Sequence, residues 1–447
     1  MNENELALKL NTANAAEIFT ELYGESGLEA ARSRYSSLIM EMLREGNGWG
    51  DLRVFSAPGR TELAGNHTDH NNGKVLAAAI QLDSVAVVKK RNDNVVFIRS
   101  KGFPDVNVKL HDSNGKPDLE PKPEEKGTTD ALVRGIAAEF SKRGGKIGGF
   151  SANAETTVLP GSGLSSSAAI EVLIGKIFDS LYANGKRSAL ELAQIGQIAE
   201  NEFFGKPCGL MDQTASASGG TVAIDFEFVE EPVIKQLKFD LTAAGFILCV
   251  VNTGGSHADL TSDYASIPSE MKSVAKFYNK STLRELDKDK VLYRASDVRK
   301  KLGDRALLRA IHYYDENARV DDMTLALQIM EKEKLYASKL DAFYVFLKLV
   351  NQSGESSWRF LQNIFSPNNL AEQGIALALA LTKDFLANKC SNAGACRVHG
   401  GGFAGTIQTY IPISALNDYR ECIEEIFGKG SLTPLMIRSK GAVELVF

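Results

Sequence analysis

The chain contains no Cys-x-x-Cys pair. Its five cysteines (Cys208, Cys249, Cys390, Cys396 and Cys422) are odd in number and widely spaced. That excludes a disulfide framework and a thiolate zinc site, and it fits a reduced, cytoplasmic setting. No apolar run reaches membrane-spanning length. The opening residues, MNENELALKLN, lack the basic-then-greasy order of a secretory signal. There is no positive excess either: the net charge is −5, which argues against a general nucleic-acid binder. Internal repeats and low-complexity tracts are absent as well.

What remains is 447 residues of ordinary globular composition, 44% apolar and 24% charged, enough for two domains or one large α/β unit. The segment NELALKLNTANAAEIFTELYG reads as helical and ends at Gly24. Two alternating runs around Asn92-Asp93-Asn94 read as a β-hairpin. A helix is expected at DALVRGIAAEFSKRG. The stretch from Phe150 to Gly185 reads as strand, glycine-serine loop, then helix. Ser188 and Glu191 form a capping-box pattern, and Gly205 with Pro207 closes the helix they open. Short strands are expected at GGTVAIDF, VIKQLKFD and FILCVVNTGG, mostly helix from 267 to 390, and a last strand at AVELVF. Mixed sheet and helix first, helix later, suggests two α+β domains, 1–220 and 221–447.

Three stretches carry chemistry. LPGSGLSSSAAIEVLIG puts two glycines and three serines directly before a helix. Such a loop turns backbone N–H groups toward an anion, and the helix N-terminus adds positive potential. It is not a P-loop, because no Lys-Ser/Thr pair follows the glycines. A capped helix after a flexible turn is the plainer reading. SAPGRTELAGNHTDHNNGK crowds Arg60, Glu62, His67, Asp69 and His70 among Gly59, Gly65 and Gly73; it is either a loop for a small polar molecule or a charged turn. CRVHGGGFAG, taken alone, fits a bulge or a hairpin turn equally well.

Together and in this order, APGRTELAGNHTDHNNG, LPGSGLSSSAA and GGGFAG resemble the GHMP small-molecule kinases, and among them the galactokinase family. GKPCGLMDQTASASGG is similar to the segment that carries that family's catalytic aspartate. The likeness runs through RALLRAIHYYDENARV and covers most of the chain. It implies a ribosomal-S5-type N-terminal domain, a ferredoxin-like C-terminal domain and a site in the cleft between them. It implies ATP and Mg2+ as cofactors and a small sugar as substrate; with the charge, hydropathy and cysteine pattern above, no nucleic-acid or membrane partner is expected, and a cytoplasmic monomer or weak homo-oligomer is.

The same resemblance assigns roles. The backbone of Gly161, Ser162, Gly163, Leu164, Ser165 and Ser166 would hold the nucleotide phosphates, with Ser167 and Glu200 on magnesium. Asp212 would be the base that takes the proton of the sugar's C1 hydroxyl, and Arg60 would keep it ionised. His67, Asp69, Tyr264 and Gly209 would meet the sugar, while Cys208 is expected to be a packed residue. The family motif reads Gly-Arg-x-Asn-Leu-x-Gly-Glu-His-Thr-Asp-Tyr, and this chain departs from it. Glu62 stands at the asparagine, His70 at the tyrosine, and Asn66 at the glutamate that contacts the sugar's 6-hydroxyl. Thr129 and Leu132 replace aromatic residues on the adenine side. Galactose, phosphorylated at its C1 hydroxyl, is the first expected substrate; Asn66 is expected at the far end of the sugar, where it would also tolerate a C6-modified galactose such as galacturonate. Glu62 is a counterweight there, and His70 a source of positive charge. A non-catalytic sugar sensor on the same fold is the rival from a different class, and a mevalonate or homoserine kinase is a weaker one.

Overall fold

A computed structural model describes residues 5, 8–44, 52–158, 161, 163–255 and 260–447. Helices α1 (Ala13–Tyr23) and α2 (Leu28–Arg44) precede strands β1 (Arg53–Ala64), β2 (Lys74–Lys90), β3 (Val95–Ser100) and β4 (Val106–Lys109). Helix α3 (Thr129–Lys142), strand β5 (Phe150–Thr156), and helices α4 (Ser166–Tyr182) and α5 (Ala189–Ile198) follow. A π-helical turn at Ala199–Phe204 leads to α6 (Met211–Ser218) and strands β6 (Thr221–Asp225), β7 (Val233–Leu237) and β8 (Phe246–Asn252). Six helices come next: α7 (Thr261–Phe277), α8 (Lys288–Tyr293), α9 (Ala295–Leu302), α10 (Asp304–Lys332), α11 (Tyr336–Ser356) and α12 (Gly374–Lys389). The chain closes with β9 (Ala395–Val398), β10 (Thr406–Pro412), α13 (Leu416–Phe427), β11 (Leu432–Leu435) and β12 (Val443–Leu445).

Among the described residues the first sheet has eight strands. Six run in the order β12-β1-β2-β5-β3-β4, and β6 pairs with β2 and β7. The second sheet is antiparallel, in the order β11-β8-β10-β9. Numbered within itself that is 4-1-3-2 in a βαββαβ chain, the ferredoxin-like order, with the helices α7–α12 filling its first crossover. The expected α+β class therefore holds. The division expected after residue 220 falls between α6 and β6. The first sheet nonetheless takes in β6 and β7 up to Leu237, and it recovers residues 443–445 from the far end of the chain.

Local chemistry explains several boundaries. The N-terminal helical pattern is interrupted at residues 10–12, where Thr12 caps α1 by accepting from the Ala15 N–H at 3.3 Å. The Ser188–Glu191 capping box is present, and Gly205 ends the π-helical turn at φ 85°. The hairpin expected around Asn92–Asn94 is not formed. β5 lies between β2 and β3, antiparallel to the first and parallel to the second. Gly149 permits this insertion, since a Cβ there would stand 2.5 Å from the Val95 carbonyl oxygen.

Phe55, Val88, Val133, Phe140, Ile174 and Phe178 fill the core between the first sheet and α3–α5. A second core joins the two sheets, bringing Leu63 and Ile80 against Phe246, Leu248, Phe343, Phe346 and Tyr410. On the other face, α1 and α2 pack Phe19, Tyr35 and Leu38 onto Val85, Val87 and Phe447. There the fully buried Asp83 carboxylate accepts from Tyr23 Oη (2.6 Å), Arg34 Nη1 (2.6 Å), Ser56 Oγ (2.5 Å) and Arg438 Nη1 (2.9 Å). Burial opposes its charge, but the two guanidinium groups prevail and hold its pKa below the usual carboxylate range. Among the described residues no helix is long and apolar enough to cross a membrane.

Candidate active site

β1 loses register with β2 between Pro58 and Arg60 and again between Glu62 and Ala64. Gly59 makes the first irregularity useful. A Cβ there would lie 2.8 Å from the Leu164 carbonyl oxygen, so only glycine lets the strand approach the serine turn. The Arg60 N–H then donates to Leu164 O at 3.0 Å, and Arg60 Nη1 donates to Gly163 O. Arg60 Nε and Nη2 meet Asp212 Oδ1 and Oδ2, each at 2.5 Å, in a bidentate fork. Ser165 Oγ donates to Asp212 Oδ2 at 2.6 Å. Burial raises the cost of charge on Asp212, yet Arg60 and then Ser165 outweigh it and hold the carboxyl below its usual range. Its side chain keeps 28% exposure, so a substrate can reach it.

The serine turn sits over this fork. Gly161 (φ 73°) and Gly163 (φ 69°) adopt left-handed backbone, and so does Ser165 (φ 61°, ψ 63°) as it caps α4. Ser162 lies outside the described residues. Leu164 is buried and anchors the turn. Ser166 and Ser167 open the first turn of α4, and their hydroxyls make no hydrogen bond within the described residues.

Glu200, only 2% exposed, lies in the π-helical turn. Its Oε1 accepts from Lys206 Nζ (3.0 Å) and its Oε2 from Gln213 Nε2 (3.0 Å). The same Gln213 nitrogen donates to Glu171 Oε2 at 2.9 Å, and Glu171 Oε1 is buried without a partner among the described residues. Burial, and then the Glu200 charge, push the Glu171 carboxyl well above the usual range. Ser167 and Glu200 carry oxygen donors of the kind magnesium prefers, and both Glu200 oxygens are engaged by Lys206 and Gln213, so an ion there would displace the Lys206 ammonium. Burial likewise pushes the Cys208 thiol up, which suits a packed residue and not a nucleophile.

The loop after β1 faces the glycine loop between β9 and β10. Three successive carbonyls of that loop are held by side chains. Gly400 O accepts from Asn66 Nδ2 (2.7 Å), Gly401 O from His67 Nε2 (3.0 Å) and Asn363 Nδ2 (3.1 Å), and Gly402 O from Tyr264 Oη (3.0 Å). Burial pulls the His67 pKa down to about 3, so the ring is neutral, with its proton on Nε2 facing the carbonyl. The Tyr264 ring also meets Phe403 edge-on at 5.5 Å. Asp69 Oδ1 takes the His70 N–H at 2.9 Å. Its Oδ2 lies where a side chain on residue 209 would be, 1.9 Å from a Cβ built on Gly209.

Asn66 departs from its expected place at the sugar. It is 1% exposed, and its amide is fully engaged within the protein. Nδ2 donates to Glu62 Oε1 (3.1 Å) as well as to Gly400 O, while Oδ1 accepts from Asn363 (2.8 Å) and Ser357 (3.4 Å). With both donors and both acceptor directions used, no group is left for a ligand. Glu62 is no counterweight in the sugar loop either: it is 3% exposed and takes Arg397 Nη2 at 2.6 Å. Of the residues on the expected adenine side, Leu132 belongs to the main core.

No motif role falls to Arg397, Asn363 or Gln213 in the sequence, yet they fix Glu62, Asn66 and Glu200 respectively. Arg397 stands three residues before the glycine run, in a strand whose neighbours are all buried. A fully buried arginine calls for a buried carboxylate partner, and that was the available signal.

The two sheets, the serine turn and the Arg60–Asp212 fork are those of a small-molecule kinase of the GHMP type. Residues 131–220 match the family described as GHMP kinases N terminal domain, and residues 47–90 match the galactokinase galactose-binding signature. Galactokinase of Streptomyces coelicolor is 29% identical over 402 residues, 88% of this chain and 93% of that one. Galactokinase of Clostridium tetani is 32% identical over 286 residues, 61% of this chain and 68% of that one. The crystal structure of Lactococcus lactis galactokinase complexed with galactose shares the fold at a TM-score of 0.70 and 22% identity, covering 96% of this chain and 99% of that one. The chain belongs to the galactokinase family.

Proposed function

We propose that the chain transfers the γ-phosphoryl group of ATP to the C1 hydroxyl of galactose. The observation that carries this reading is Asp212, ionised by the Arg60 fork and open to solvent between the serine turn and the loop after β1. Asp212 takes the proton of the C1 hydroxyl as that oxygen forms its bond to the γ-phosphorus. The bond from phosphorus to the bridging oxygen breaks, and ADP leaves with the electron pair. The charge on Arg60 keeps the base deprotonated and offsets negative charge on the moving phosphoryl group. Backbone N–H groups of Gly161–Ser166 would hold the phosphates, with Ser162 included on the strength of the motif alone. Ser167 and Glu200 would hold Mg2+, which supplies neutralisation of phosphate charge when bound. Asp69 offers the sugar a carboxylate above Gly209, while His67 and Tyr264 wall the sugar side and fasten the glycine loop across it. Unpaired cysteines support a reducing cytoplasm as its place of action, as a monomer or weak homo-oligomer.

The test is ADP release with a panel of sugars that includes galactose and galacturonate. Galactose should be turned over, and Asp212→Asn should bind nucleotide normally while losing about 10²–10⁴-fold in kcat. A wild type that binds galactose without consuming ATP would make the protein a sensor and overturn the assignment.

A further inference from the structure

One face of α10 runs beside the loop at residues 65–74 and holds its backbone at four points. Glu316 Oε1 accepts the Gly65 N–H at 3.1 Å. His312 Nε2 donates to the Asn66 carbonyl at 2.9 Å. Tyr313 Oη donates to the Asn71 carbonyl at 3.0 Å, and Asn317 Oδ1 accepts the Lys74 N–H at 2.6 Å. The positions 312, 313, 316 and 317 form a single stripe of a helix. Each side chain has the polarity its backbone partner lacks: acceptors face N–H groups and donors face carbonyls. The loop residues proposed to meet the sugar, His67 and Asp69, hang between these anchors.

The anchors are themselves braced. Glu316 is fully buried, receives Ser353 Oγ at 2.6 Å, and pairs with Arg319 at 2.8 Å. His312 is fully buried and shares a 2.9 Å hydrogen bond with Ser356 through Nδ1. Both serines lie on α11, so two helices of the second half fix a loop of the first. The loop has little latitude of its own at Gly65 (φ 95°), where a Cβ would stand 2.5 Å from Lys74 O. Arg60 and Asp212 are held separately, by the serine turn.

We propose that α10 is the template for the acceptor-sugar loop, with Glu316, His312 and Asn317 as positioning residues that set sugar affinity without touching the sugar. The proposal rests on reading residues 65–74 as the sugar loop. Burial opposes charge on Glu316, but Arg319 prevails and holds the carboxyl down at about 2, so the acceptor for Gly65 is a full carboxylate at working pH. Because nucleotide and base are fixed by other elements, loosening this face should separate the two substrates kinetically.

The experiment measures KM for galactose and for ATP, with kcat and melting temperature, in Glu316→Leu, Glu316→Gln and Asn317→Ala. Glu316→Leu should raise KM for galactose about tenfold, with KM for ATP within about twofold of wild type. Glu316→Gln keeps an oxygen for the Gly65 N–H and should restore most of that loss. Asn317→Ala removes one acceptor from a half-buried position and should raise KM for galactose about threefold; it decides the matter if Glu316→Leu does not fold. Unchanged galactose KM in folded variants, or parallel rises in both KM values, would overturn the template. A wild type that neither phosphorylates nor binds galactose, by turnover and calorimetry, would overturn the sugar-kinase reading first and the template with it. A wild type that does, with variants that fail to split the two KM values, removes the template alone.

Discussion

Returning position 66 to the family's residue gives a sharp test of the buried polar layer. In Asn66→Glu a carboxylate would replace an amide whose nitrogen lies 3.1 Å from Glu62 Oε1. Both residues are at most 3% exposed, and the Arg397 guanidinium pairs with Glu62. Two unit charges about 4 Å apart repel by roughly 4 kcal/mol at an effective dielectric constant near 20. The hydrogen bond to Gly400 O is lost as well. Burial already lifts the Glu62 pKa against the pull of Arg397, so one of the two carboxyls should hold its proton at neutral pH. A carboxyl whose folded pKa is raised favours the folded state less as pH climbs above its unfolded value of about 4.3. Urea unfolding should therefore show a loss of about 3–4 kcal/mol at pH 8 and a smaller one at pH 5. The exchange Glu62→Asn/Asn66→Glu again has one carboxylate and one amide. It should be more stable than the single variant, with a coupling of about 2 kcal/mol. A single variant within about 0.5 kcal/mol of wild type at both pH values, or strict additivity in the cycle, would refute the reasoning. The same result decides how sugar kinetics of Asn66→Glu are read, because a disturbed Gly400 anchor lowers activity whichever sugar is used.

Three further outcomes are expected. Arg60→Gln removes the charge that depresses the Asp212 pKa. The acid limb of kcat/KM should move to higher pH and kcat should fall; an unmoved limb would place the titrating base elsewhere. Gly209→Ala puts a methyl group 1.9 Å from Asp69 Oδ2. Galactose KM should rise about tenfold or more, with nucleotide affinity unchanged by fluorescence titration. Ser167→Ala and Glu200→Ala should each raise the Mg2+ concentration for half-maximal activity, because each removes an oxygen donor. A normal titration in both would mean the ion is held by other groups.

What could be read in the sequence was what chemistry confines to a few consecutive residues. Gly161 and Gly163 before a helix, the Ser188–Glu191 box and the order of the three loops are local patterns. The structure brings Arg60, Ser165 and Asp212 together as an ionised fork. What could not be read was set by partners far along the chain. Asn66 and Glu62 look like loop ligands until Arg397, 335 positions from Glu62, and Asn363, 297 positions from Asn66, are placed beside them. The Asn92–Asn94 turn carries a sound hairpin signal, but β5 wins the edge of β2 by forming seven residue pairs with it. His312 and Glu316 lie in RALLRAIHYYDENARV, whose family likeness does not reveal their partners, since they hold peptide groups and not side chains.

The arrangement around Asp83 and β1 bears on the order in which the molecule can be made. β1 emerges early in synthesis, yet one of its edges waits for β12, and Arg53 pairs with Glu444 across 391 positions. Ser56 likewise waits for Arg438 to complete the cluster on Asp83. Throughout translation of the intervening chain, the first sheet carries an open strand edge and a buried aspartate short of one of its two cations. Such an edge invites pairing with other chains. Ribosome pausing within the helical half should prolong that exposure. The first sheet, although it starts forming first, is thus among the last parts of the protein to be finished.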